Sequence, residues 1–161
     1  MKKILLTIIL FLLFCAQVFA TAGSAVQSMA TSADNSSIKI KLVCTGDSSN
    51  GSLPSAQGII SAAYMAKLNS STYYLYQVRT YPTPGGTAPD AADVTVTMDG
   101  QDLLGGKGTN LIHATATQDT FPYSTFMSMY RYPKITNTLT VGVANEATAS
   151  CNYTIELIFV R

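Results

Sequence analysis

Residues 81–106 read YPTPGGTAPDAADVTVTMDGQDLLGG. The stretch is dense in proline, glycine and aspartate, which build both ligand loops and plain turns. Within it, DVTVTM sets Val94, Val96 and Met98 on one side and threonines on the other, the period-two pattern of a half-buried strand. Asp99-Gly100 is a hairpin-turn dipeptide, and QDLL begins the return strand. Pro82, Pro84, Gly85, Gly86 and Pro89 make the preceding segment a connection, since proline cannot donate to a sheet ladder. The chain is thus expected to be built from short strands and turns.

Two ligand readings of the stretch fail on spacing. A phosphate loop around Gly106-Lys107 needs glycine where Gln101 stands, and Ser or Thr where Gly108 stands. Asp90, Asp93, Asp99 and Asp102 do not match a calcium loop. Asp93 and Asp99 also bracket a strand of about 17–20 Å, which holds them apart. Turn-forming carboxylates are the expected role, and no metal or other cofactor is expected.

Working outward, residues 37–44 (SIKIKLVC) alternate Ile38, Ile40, Leu42 and Cys44 against Lys39 and Lys41. Residues 72–81 (TYYLYQVRTY) form a strand rich in aromatic and β-branched side chains. Its alternation puts Tyr74, Tyr76, Val78 and Thr80 opposite Tyr73, Leu75, Gln77 and Arg79. Residues 57–69 (QGIISAAYMAKLN) admit a helix, yet Ile60, Ala62, Tyr64, Ala66 and Leu68 also share a strand face. A strand is expected there, joined to the next through Asn69-Ser70-Ser71. Residues 123–132, 136–146 and 150–160 supply further strands, the last with Cys151, Tyr153, Ile155, Leu157 and Phe159 on one side. The expected fold is all-β, an antiparallel β-sandwich of about seven to eight strands.

The N-terminus reads as a secretory signal peptide over residues 1–20. Lys2 and Lys3 precede an apolar run, and Val18-Phe19-Ala20 offers small residues at a cleavage site. A retained anchor and a lipoprotein acylated at Cys15 are the alternatives; Phe14 argues against the second. Residues 21–36 read as a flexible leader, and residues 37–161 as the folded domain. After cleavage, eight basic side chains face nine acidic ones, giving no electrostatic case for nucleic acid or anionic membrane. Insertion into a membrane is not expected after cleavage. Cys44 and Cys151 are then the two cysteines left in an exported chain, and a disulfide between them is expected. It would close a loop of about a hundred residues, a stabilisation of ~4–5 kcal/mol in the chain-entropy picture.

The candidate functional residues are few. His113 is the single histidine, and no nucleophile-elbow motif accompanies it. The nine tyrosines combine apolar area with a hydroxyl, which suits glycan or protein contacts as well as strand packing. YRYP, with Tyr130, Arg131 and Tyr132, is the best local candidate for an exposed binding patch.

The pieces YLYQVRT, PGGTAP and ADVTVTMDGQDLLGG, with LTVGVAN more loosely, carry a resemblance. In that order they resemble a group of small, mostly uncharacterised proteins of bacteriophage and prophage genomes. The resemblance implies an all-β structural or particle-associated module and transfers no functional residue. The signal peptide and the cysteine pair depart from that group and point to use outside the cytoplasm. The expected function is an exported (periplasmic, surface or secreted) structural or binding module without catalysis. Its expected partner is a protein or glycan, with homo-oligomerisation possible. A phage-derived virion or decoration protein is the alternative, and a secreted hydrolase using His113 the third.

Overall fold

The computed structural model describes residues 22–161. The expected signal segment, its cleavage site and Cys15 lie outside the described residues. The fold is all-β with antiparallel pairing throughout, and has ten strands among the described residues rather than seven or eight. One sheet runs β1 (Ser24–Thr31), β2 (Ser37–Thr45), β10 (Asn152–Val160), β3 (Tyr74–Pro82) and β6 (Gln118–Thr120), in that order across the sheet. A second runs β5 (Gln101–Asp102), β4 (Asp93–Met98) and β9 (Leu139–Ala144). β7 (Tyr123–Ser124) and β8 (Met129–Tyr130) form a separate two-stranded hairpin.

The alternation read from the sequence explains the core. Ile38, Ile40, Leu42 and Cys44 of β2, and Tyr153, Ile155, Leu157 and Phe159 of β10, are all buried. They share one cluster with Val94 and Val96 of β4 and with Leu139, Val141 and Val143 of β9. Both larger sheets therefore contribute to a single core. On the other side of β10, Glu156 accepts from Tyr81 Oη at 3.2 Å and pairs with Lys39 Nζ at 3.2 Å. The turn between β4 and β5 has both Asp99 (φ 53°) and Gly100 (φ 77°) in the left-handed region. That is the type I′ geometry whose twist suits a two-residue hairpin. The proline- and glycine-rich connection folds back on β10: Thr83 N donates to Asn152 O, and Asn152 N to Thr87 O.

Five expectations are overturned, the single strand at residues 123–132, described below, being one of them. Residues within the expected leader form β1, paired with β2 from Ser24↔Thr45 to Thr31↔Ile38. Main-chain bonding to the β2 edge holds this strand, so its small and polar side chains need supply only the half-buried row Ala25, Gln27 and Met29.

The segment expected as a strand at residues 57–69 contains instead a 3-10 turn at Ser55–Gln57 and α1 (Ala62–Asn69). Met65 and Leu68 are buried and three apart, on one helical face, while Ala62 and Ala66 are exposed. Just before α1, the extended residues dock on the free edge of β9: Val141 N donates to Gly58 O, and Ile60 N to Leu139 O, both at 2.9 Å.

The two-faced reading of β3 also fails. The β10 pairing passes from Ile158↔Gln77 to Phe159↔Leu75, so Tyr76 is an extra residue in a bulge. Leu75, Val78 and Thr80 are buried, because the bulge resets the parity.

Cys44 and Cys151, expected as a disulfide, are separate buried thiols. The register is the reason. Cys44 lies opposite Tyr153, and Gly46 N donates to Cys151 O, so the two cysteines are diagonal neighbours two residues out of step. Diagonal Cα atoms stand about 7–8 Å apart, beyond the reach of an unstrained disulfide. Burial pushes both thiols up to about 12.

Candidate binding surface on the β7–β8 hairpin

The bulge at Tyr76 starts a run of aromatic rings that leaves the core and reaches solvent. Tyr76 packs against Tyr132 with ring centroids 5.1 Å apart, and edge-on against Phe121 at 5.7 Å. Phe121 meets Tyr130 at 6.4 Å, and Tyr130 meets Tyr123 at 5.3 Å, both near-perpendicular. Edge-to-face geometry sets the positive rim of one ring against the negative face of the next. Lys107 Nζ lies 4.7 Å from the centroid of the Tyr123 ring and closes the run with a cation–π contact.

This run supports the β7–β8 hairpin. Tyr123 pairs with Tyr130 and Ser124 with Met129; Arg131 N then donates to Pro122 O and continues the ladder. Met127 N donates to Ser124 Oγ, and Ser128 takes a φ of 52° to close the loop. Residues 123–132, expected as one strand, are therefore a hairpin with a four-residue tip. At the tip Phe126 is 97% exposed, followed by Tyr130 at 60% and Met129 at 53%. Met127 and Tyr132 are exposed as well. Large apolar side chains gathered on one exposed projection make this hairpin the candidate contact surface.

The expected patch of Tyr130, Arg131 and Tyr132 thus lies on this hairpin, and all three residues are exposed. Sequence reasoning missed Phe126, Met127 and Met129 as members. Their STFMSMY context has a strand-like composition without a turn dipeptide, and only the hairpin brings them together. The other tyrosines have different work. Tyr73 and Tyr153 are core residues, with Oη donating to Asn35 O at 2.7 Å and to Gly51 O at 3.5 Å. Tyr64 Oη donates to the Gln27 carbonyl of β1 at 3.3 Å.

Beside the hairpin lies an open groove of about 380 Å³, bounded by the β5 end of the second sheet and by residues 131–134. Gln101, Ser124, Phe126, Arg131 and Lys134 are among its walls. Asp102 also borders it, but its carboxylate is engaged: Oδ1 accepts from Leu104 N at 3.0 Å, and Oδ2 from Gly106 N at 2.9 Å. The Leu104 and Gly106 N–H groups of the turn after β5 are therefore turned to the Asp102 carboxylate.

The remaining candidates are dispersed. His113 is exposed, and its Nδ1 accepts from Thr115 N at 3.2 Å and Ala116 N at 3.1 Å. Asp93 accepts from Asn110 N and Asn145 Nδ2, and Asp99 from Asn137 Nδ2. Each carboxylate fastens a different turn. Among the described residues, no group of three or more His, Cys, Asp or Glu side chains is placed to hold a metal ion.

No family model, curated protein or solved structure matches the chain.

Proposed function

We propose that this chain is an exported, non-catalytic binding module that meets its partner through the β7–β8 hairpin. The observation that carries the reading is Phe126, 97% exposed at the end of a projection buttressed by packed rings. Exposing a large apolar ring costs solvation that a core position would recover, and a partner surface removes that cost. The Tyr76–Tyr132 and Tyr123–Tyr130 contacts preorganise the hairpin, which lowers the ordering entropy of binding. The groove beside it presents amide, hydroxyl and cationic groups that would fix orientation.

A photo-reactive aromatic at position 126 tests the reading, with the same group at Val26 as control. Val26 is 73% exposed on β1, in a different sheet. Adducts from position 126 and none from position 26, in the native extracytoplasmic setting, are the expected result. Equal yields from both positions, or none from 126, overturn the hairpin as the contact element.

A further inference from the structure

We infer that the groove beside the hairpin takes a carboxylate-bearing sugar chain, with a sugar ring stacked on Phe126 and its acid groups held by Arg131 and Lys134. The inference rests on the reading of the hairpin as the contact element.

Three observations converge on this ligand class. Phe126 offers a ring free of intramolecular packing, and the apolar C–H face of a pyranose is a natural partner for a bare aromatic face. Gln101 and Ser124 stand along the same groove and match the hydroxyls of a sugar. The third observation is charge. Arg131 and Lys134 line the groove, Lys107 sits against the Tyr123 ring nearby, and none of the three is among the described ion pairs. The carboxylate bordering the groove, Asp102, is occupied by main-chain N–H groups. Two cationic groups against one carboxylate leave the groove net cationic although the chain as a whole is close to neutral. Arg131 and Lys134 give it two separate cationic groups for the acid groups of one chain.

Calorimetric titration of the folded protein with an oligogalacturonate, its methyl ester, polyglutamate and vesicles of anionic phospholipid decides the matter. Binding of the oligogalacturonate, with the uncharged ester about tenfold weaker or more, is expected, since one tenfold step needs only 1.4 kcal/mol. Phe126→Ala should cost about tenfold, on the scale of one aromatic contact. Lys134→Gln should lower affinity and flatten its salt dependence. Both sites are on the surface, and unchanged circular dichroism would show that the variants fold. Equal binding of acid and ester, equal binding of polyglutamate, preference for vesicles, or no binding to any probe would overturn the assignment. A protein adduct at position 126 in the cross-linking experiment would keep the hairpin as the contact element and reject the sugar chain.

Discussion

Tyr76 is the bulged residue of β3, and its ring stacks 5.1 Å from that of Tyr132, beyond the far strand of the exposed hairpin. An irregularity in the main sheet thereby supports the projecting surface. Regular pairing would have kept the strict alternation, with Tyr76 on the side of Val78 and Thr80. The extra residue instead frees it to meet Phe121 and Tyr132.

Tyr76→Ala removes two ring contacts and part of the burial, and should cost about 2–3 kcal/mol in urea unfolding. Hydrogen exchange of the β7–β8 amides should accelerate by more than the global loss accounts for. Phe126→Ser should leave stability within about 0.5 kcal/mol, because the ring is almost wholly in solvent. A large loss from Phe126→Ser would mean that the tip is packed, not presented.

Gly58 lies against β9 so closely that a Cβ would run into the Val141 carbonyl. Gly58→Ala should therefore cost about 3 kcal/mol or more, because the obstacle is main chain and cannot rotate away. Gly100→Ala meets no atom within 4 Å but sits at φ 77°, so only the left-handed strain of about 1–2 kcal/mol is expected. Thermal unfolding of the two variants should rank them in that order.

The buried thiols give a pH signature. Cys44 and Cys151 are raised to about 12 by burial, from an ordinary value of 9.0. The folded state thus holds protons that the unfolded chain releases. Their contribution is complete below pH 9 and is lost as pH rises from 9 toward 12. Melting temperature should fall across the lower part of that window, and less steeply in Cys44→Ala. Alkylation followed by peptide mass analysis should label neither cysteine in the native protein at pH 7.5. Both should be labelled after denaturation without reductant. A persistent unlabelled pair would restore the disulfide.

Asp102 gathers the turn after β5, with accepted bonds from Leu104 N and Gly106 N. Asp102→Ala leaves those donors without their anionic acceptor and should cost about 1.5–3 kcal/mol. Asp102→Asn retains one acceptor oxygen and should cost less. Chemical denaturation of both variants checks the order.

Much of the sheet framework is legible in the chain because β2 and β4 bury one face and so must alternate, and β10, although Thr154 and Glu156 are buried too, keeps its large apolar residues on the core side. β1 is illegible for the opposite reason: main-chain bonds to one neighbour hold it, and they leave little trace in side-chain type. α1 was obscured because Ile60, Tyr64 and Leu68 fit a period of two as readily as a helical turn. What decides is that Gly58 and Ile60 already pair with β9, a tertiary fact. The candidate surface was half visible. YRYP drew attention to the right strand, but the exposure of Phe126 depends on a hairpin that short-range pattern does not separate from a continuous strand.

The order of strands carries a kinetic consequence. β10, the last strand in sequence, lies between β2 and β3 and bonds to both. Until it arrives, the β1–β2 pair and the β3–β6 pair are two unjoined fragments with open inner edges. Assembly must wait for a keystone more than a hundred residues downstream of β2, and such distant closure makes folding slow.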